Sequence, residues 1–461
     1  MKARFHGWNW LVLVSLSVSL NAFAETSSYV DGQIIVRLKG NASTQGLKAS
    51  SAAAVIQETT SLVPELNLWL VKLTKKTTVP HAVQILGQQQ DVLYAQPDHL
   101  ISLREADEVI PNEPRFGELW SLVNRSNRAD ISATQAWKLG TGGRDRDGND
   151  IVVAVVDGGV DLTHPDLASN IWTNSGEIPG NGIDDDGNGY VDDVNGWNAF
   201  SNNGTIPSAS HGTHVAGIIG ARGNNGAHVA GVNWNVKIMA VAGASGTTSV
   251  VAAAYGYVLK QKQLWLDSNH TKGANVVATN SSFGVDYANC ASGSFPVWND
   301  LYDAMGKVGI LSAAATANNN VDVDVRGDVP TACSSPYIVA VTNTTNQDRK
   351  YTQAGYGAIN VDLGAPGTAI ISTVPNSGTQ AMTGTSMATP HVAGAIAFLH
   401  SVASENFNRM TRQDPGTAAL ALKEAILQSV DPIAELNGVT VSGGRLNLNR
   451  SAQAMSLFTR Q

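Results

Sequence analysis

The sequence predicts an α/β fold, a parallel β-sheet with helices on both faces, preceded by a small α+β module. Three observations carry this. Strand-length apolar runs at 151–156, 236–241, 275–278, 310–315 and 338–341 alternate with helical stretches at 212–221, 250–262 and 389–401. Those runs are apolar nearly throughout, as a strand covered on both faces requires. Ahead of them, residues 25–110 have another texture: period-two stretches at 33–38 (QIIVRL) and 67–73 (NLWLVKL), an amphipathic segment at 81–90, and VLYAQPDHLISL at 92–103. That order reads β, β, α, β, a module of about 80 residues near the lower end for independent stability. Residues 111–461 then form one long α/β domain with no repeat and no low-complexity linker.

The first 24 residues carry Lys2 and Arg4, an apolar run at 10–20 and then Ala22-Phe23-Ala24. This is the pattern of a secretory signal with an A-x-A cleavage site. A membrane-spanning helix needs roughly 20 apolar residues, so the run predicts no membrane anchor. The mature chain is therefore expected to start near Glu25 and to be secreted, into periplasm or medium. Residues 106–461 hold 21 basic and 31 acidic side chains, once the 9 basic and 7 acidic ones of residues 1–105 are taken from the totals of 30 and 38. An acidic surface of this kind argues against nucleic-acid binding. Cys290 and Cys333 are the only cysteines. In an exported chain they predict one disulfide, with two buried free thiols as the alternative.

Three segments carry chemistry: VAVVDGGV at 153–160, HGTHVAG at 211–217 and GTSMATPHVAG at 384–394. A serine hydroxyl is a weak nucleophile unless a neighbouring base takes its proton as it attacks. Imidazole has a pKa suited to that task, and a carboxylate fixes its tautomer. Asp157 ends an apolar strand, His211 opens a glycine-flanked helix, and Ser386 lies in a small-residue turn into a helix. These contexts assign Ser386 as nucleophile, His211 as base and Asp157 as the group that orients it. His214 and His391 read as structural. Pro390 falls about one turn into its helix, where a missing N–H is tolerated, and the helix start aims backbone amides at Ser386.

A separate acidic stretch, NGIDDDGNGYVDD at 181–193, holds five carboxylates between Asp184 and Asp193. Asp184, Asp186, Asn188, the Tyr190 carbonyl and Asp192 are spaced as oxygen ligands of a calcium loop, with Gly189 at the sharp turn. Asn195 stands where an EF-hand has its bidentate glutamate, so the pattern predicts a stabilising Ca2+ loop and not a sensor. No organic cofactor is expected. Acidic patches at 145–150 and 322–328 have partial calcium spacing without a clean match and stay unassigned.

The three segments, in the order Asp, His, Ser, resemble the catalytic core of the subtilisin-like serine proteases (subtilases, peptidase family S8). GGRLNL at 443–448 resembles the close of that core, and residues 25–110 resemble the subtilase propeptide, a folding aid and transient inhibitor. A small binding domain retained in the product is the alternative for that module. The resemblance implies a second oxyanion donor at Asn318, in LSAAATAN at 311–318, with Ala317 where the family usually has glycine; Asn319 and Asn320 are the neighbouring alternatives. It implies strand-like pairing of an extended peptide with 280–284, including Ser282, Phe283 and Gly284, and with 243–246, including Ser245 and Gly246. Ala315, Thr316 and Ala317 would then line one wall of the main specificity pocket. Asp166 and Asn224 resemble ligands of a second calcium site.

The expected protein is thus an exported serine endopeptidase. It acts on polypeptides through Asp157, His211 and Ser386 and processes itself from a precursor between about 103 and 116. Its expected partners are polypeptide substrates and its own propeptide, with no nucleic acid, and its expected state is monomeric. A catalytically silent binding protein on the same fold is the rival reading. An acid-active serine-carboxyl peptidase is a second rival, which the HGTHVAG segment argues against.

Overall fold

The computed structural model describes residues 29–99, 108–290 and 293–459. The signal segment lies outside the described residues, as does the first part, 103–107, of the expected processing region. The chain divides into two compact units, Met1–Glu105 and Ala106–Gln461.

The first unit contains β1 (Tyr29–Leu38), α1 (Thr44–Lys48), β2 (Ile56–Val63), β3 (Leu68–Leu73), α2 (Val79–Gly87) and β4 (Val92–His99). Its antiparallel sheet has the order β2-β3-β1-β4. Alternate residues Ile34, Val36 and Leu38 of β1 are buried against Val71, Leu73, Ala82 and Leu86, which is why the period-two pattern is visible there. Strand β2 was not expected. Its IQETTSLV sequence is mostly exposed, so backbone pairing with β3 makes it a strand and no buried face marks it.

The second unit runs α3 (Ala133–Ala136), β5 (Val152–Asp157), β6 (Gly196–Asn198), α4 (Ser210–Gly220), β7 (Lys237–Ala242), α5 (Thr248–Asp267), β8 (Val276–Ser281) and β9 (Val285–Asp286). It continues through α6 (Pro296–Lys307), β10 (Leu311–Ala315), α7 (Val323–Arg326), β11 (Asp328–Val329), β12 (Ile338–Thr344), β13 (Leu363–Pro366), β14 (Ile370–Val374) and β15 (Gly378–Met382). It ends with α8 (Thr385–Val402), α9 (Glu405–Gln413), α10 (Pro415–Gln428), β16 (Asp431–Pro432), β17 (Gly444–Arg445) and α11 (Leu448–Ser456). The nine-stranded sheet has the order β16-β17-β13-β12-β10-β8-β5-β7-β6, parallel throughout except at the β16–β17 edge.

Helices cover both faces. Val153 and Val155 of β5 pack into a core with α4, α8 and α11, while Val152, Ala154 and Val156 pack into a second core with α5 and α6. A strand with two buried faces loses its polar alternation, hence the unbroken apolar run. The chain leaves β5 through α4 to β7 on one side, and β8 pairs with β5 on the other. Parallel sheets open a crevice at the carboxyl ends of such strands, and Asp157 sits at that end of β5. Cys290 and Cys333 form a disulfide closing a 43-residue separation. Among the described residues no helix is long and apolar enough to cross a membrane.

Candidate active site

Asp157 and His211 meet because β5 and α4 approach each other closely. A Cβ at Gly212 would lie 2.1 Å from the Gly159 carbonyl and 2.9 Å from Asp157 Cβ, so only glycine after His211 allows the contact. His211 Nδ1 donates to Asp157 Oδ2 at 2.8 Å, and the Gly158 amide donates to Asp157 Oδ1 at 2.7 Å. Burial opposes the charged imidazole, but the bonded Asp157 carboxylate outweighs it and holds the His211 pKa above its ordinary value.

Ser386 is the second residue of α8. Pro390 lies inside that helix and has no N–H for the Ser386 carbonyl four residues back. Ser282 Oγ fills this gap, donating to the Ser386 carbonyl at 2.9 Å, and is itself held by Asn280 Nδ2 at 2.8 Å. The helix tolerates its proline because the end of β8 supplies the missing donor. Ser386 Oγ donates to the Ser282 carbonyl at 3.3 Å, and among the described residues no hydrogen bond joins it to His211. Catalytic hydrogen bonds of this kind often close only around substrate.

Asn318 Oδ1 accepts from the Thr385 amide at 2.9 Å and from Thr385 Oγ1 at 3.1 Å. With its oxygen anchored there, the Nδ2 donor faces the other way. Asn318 and Ser386 line one pocket of about 70 Å³ together with Ser282, Phe283, Gly284, Ala315, Thr316 and Ala317. Ser245 and Gly246 lie outside it, exposed in the turn between β7 and α5. Their neighbours Gly243 and Ala244 donate to the Asp157 carbonyl at 2.8 and 3.1 Å, tying that turn to the site.

The other histidines hold the frame. His214 Nε2 donates to the carbonyls of Ile370 and Gln380, fixing α4 to the β14–β15 hairpin, and burial pushes its pKa down to about 4. His391 is buried with Nδ1 bonded to the Met387 carbonyl, and burial likewise pushes it to about 4. Both are neutral supports.

In the acidic loop the carboxylates of Glu177, Asp184 and Asp186 converge, with one oxygen of each within 4.8 Å of the others. Glu177 was missed, although it stands seven residues before Asp184 in the same glycine-rich stretch. Asp192 faces elsewhere: its carboxylate accepts from the amides of Gly180, Asn181 and Gly182. Asn188 Oδ1 accepts from the Tyr190 amide at 2.7 Å, and Asn188 Nδ2 donates to Asp186 and Asp193. Three hard oxygen donors in a loop of positive-φ glycines suit a divalent cation such as calcium.

At the second acidic position, Asp166 is fully buried and accepts from Asn225 Nδ2 and the Val229 amide, and Asn224 has φ of 60°. Glu113, also missed, joins them: its Oε1 accepts from the Asn225 amide at 2.9 Å. Its Oε2 is buried with no hydrogen-bond partner among the described residues. Burial, reinforced by the Asp166 charge, raises the Glu113 pKa against the opposing backbone amides. A buried unanswered carboxylate oxygen beside a second carboxylate fits a cation, and a sequence separation of 53 residues hid the pair.

The sequence model of the subtilase family matches residues 148–451, and that of the fervidolysin N-terminal prodomain matches residues 17–98. Thermitase of Thermoactinomyces vulgaris is 29% identical over 348 residues, covering 74% of this chain and 99% of that protein. An extracellular protease of Xanthomonas campestris pv. campestris is 31% identical over 329 residues, 65% of this chain and 52% of the relative. The crystal structure of fervidolysin from Fervidobacterium pennivorans, a keratinolytic enzyme related to subtilisin, shares the fold with a TM-score of 0.51. It is 22% identical and covers 93% of this chain and 61% of that one. With the Asp157–His211 pair at the carboxyl edge of a parallel sheet and a prodomain match ahead of it, the chain belongs to the subtilase family of serine endopeptidases.

Proposed function

We propose that this chain is exported as a precursor, removes its own prodomain, and then cleaves polypeptides with Ser386 as nucleophile, His211 as general acid–base and Asp157 as the residue orienting it. The observation that carries the assignment is the 2.8 Å hydrogen bond from His211 Nδ1 to Asp157, which commits that nitrogen to the carboxylate and leaves Nε2 as the one to serve the nucleophile. Ser386 Oγ attacks the substrate carbonyl carbon as its proton passes to His211 Nε2. The oxygen gains negative charge, which Asn318 Nδ2 and the amides at the start of α8 stabilise. The C–N bond then breaks, and His211 gives its proton to the leaving amine. A water attacks the Ser386 ester, its proton goes to Nε2 and on to Ser386 Oγ, and the acid product leaves.

Calcium held by Glu177, Asp184 and Asp186, and at the site of Asp166 and Glu113, would neutralise clustered carboxylates and stabilise the fold; it takes no part in the reaction. The likeness to an extracellular protease and the signal-like leader support export.

Intact mass of the exported wild type beside Ser386→Ala, both purified in calcium, tests the proposal. The expected result is a wild type shortened to between residues 103 and 116 and a variant that keeps Glu25 at its terminus. Two chains that both retain Glu25 would contradict self-processing.

A further inference from the structure

The pocket beside Ser386 holds two carboxylates as well as its alanine walls. Asp286 and Asp328 face each other across the short β9–β11 ladder, and both line the pocket. Asp286 is exposed and accepts from Asn319 Nδ2 at 2.9 Å, whereas Asp328 is 1% exposed. Asp328 Oδ2 takes the Ala317 amide at 3.2 Å and the Thr331 hydroxyl. Both are neutral donors, and no lysine, arginine or histidine is among the residues lining the pocket. The cations on nearby segments are turned to other partners. Arg326 lies over the Tyr287 ring at 5.0 Å, and Lys350 donates to Asn320 Oδ1 and to the carbonyls of Tyr351 and Ala354.

A buried carboxylate is costly unless a cation answers it. Burial foremost, with the Asp286 charge adding and the Thr331 hydroxyl opposing, pushes the Asp328 pKa up to about 7. The Asp322–Asp328 stretch, whose calcium spacing was only partial, thereby gains a role next to the nucleophile.

We infer that Asp328, assisted by Asp286, makes this a subsite for a cationic side chain, so that the enzyme prefers lysine or arginine immediately before the scissile bond. Ala315, Ala317 and Phe283 offer apolar walls to the methylene stem while the charged head reaches the carboxylates. The inference rests on the endopeptidase reading above and adds a specificity to it.

The test is a matched set of chromogenic tetrapeptide amides differing only in that residue (Lys, Arg, Leu or Phe), given to mature wild type, Asp328→Asn and Asp286→Asn. The wild type is expected to favour Lys and Arg in kcat/KM by about tenfold or more. The ratio of basic to apolar kcat/KM should fall roughly 10- to 150-fold in Asp328→Asn, the range for a lost hydrogen bond to a charged group, and several-fold in Asp286→Asn. A purely structural Asp328 would lower all four substrates alike and leave the ratio unchanged, which overturns the inference. If Asp328→Asn fails to fold, the wild-type ratio and Asp286→Asn decide. A wild type that a fluorophosphonate labels and that cleaves Leu or Phe best overturns this inference alone. One that is neither labelled nor active overturns it together with the endopeptidase reading.

Discussion

The catalytic corner and the acidic loop are both built on carboxylates, and they differ in who answers the charge. At the corner, Asp157 is answered by the protein itself, through His211 Nδ1 and the Gly158 amide. In the loop, Glu177, Asp184 and Asp186 are met by backbone amides and the side-chain amides of Asn174 and Asn188, and no lysine or arginine pairs with any of the three among the described residues. The first arrangement is complete without a ligand, and the second gains most from a bound cation. On the proposed function, chemistry belongs to the corner and stabilisation by a bound cation to the loop.

The sharpest way to break this division is at Asp157. Asp157→Asn is expected to lower kcat about 10⁴-fold, because the neutral amide supports the wrong imidazole tautomer. Its pH profile carries a further sign. His211 titrates above its ordinary value, and catalysis needs the neutral ring, so wild-type activity falls as pH drops through that raised pKa. Removing the carboxylate should move this acidic limb to lower pH, which residual kcat/KM against pH will show. Asn318→Ala comes next, with a loss of roughly 10²–10³ in kcat and little change in KM, since it acts on charge that develops only in the transition state. Glu177→Gln should leave kcat within about twofold while weakening thermal stabilisation by calcium. At a hundredfold excess over Kd, binding stabilises by about 3 kcal/mol, or several degrees of Tm, and scanning calorimetry with and without calcium measures how much of that the variant loses.

The corner was legible because each of its residues carries its own local signature: an apolar strand ending in Asp157, a glycine after His211 where the backbones touch, a small-residue turn at Ser386. The central strands were legible for the same reason, with bounds shifted by one to three residues at β5, β7, β8, β10 and β12. What escaped was assembled by the fold. Glu113 meets Asp166 across 53 residues, and Asp286 meets Asp328 through a two-residue ladder with no pattern of its own. Strand β2 escaped because its side chains face solvent and only pairing with β3 defines it. The Asp192 carboxylate fitted a ligand spacing, yet the amides of 180–182 claim it, a choice set by loop geometry that spacing alone does not encode.

The most direct test of the division is fluorophosphonate labelling of the mature protein followed by peptide mapping, in calcium and after chelation at a temperature where circular dichroism still reports the folded state. The account predicts label on Ser386 at similar rates in both conditions, and much slower labelling in Asp157→Asn. Label on another residue, or labelling that vanishes on chelation while the fold persists, would contradict a catalytic corner that is complete without the metal.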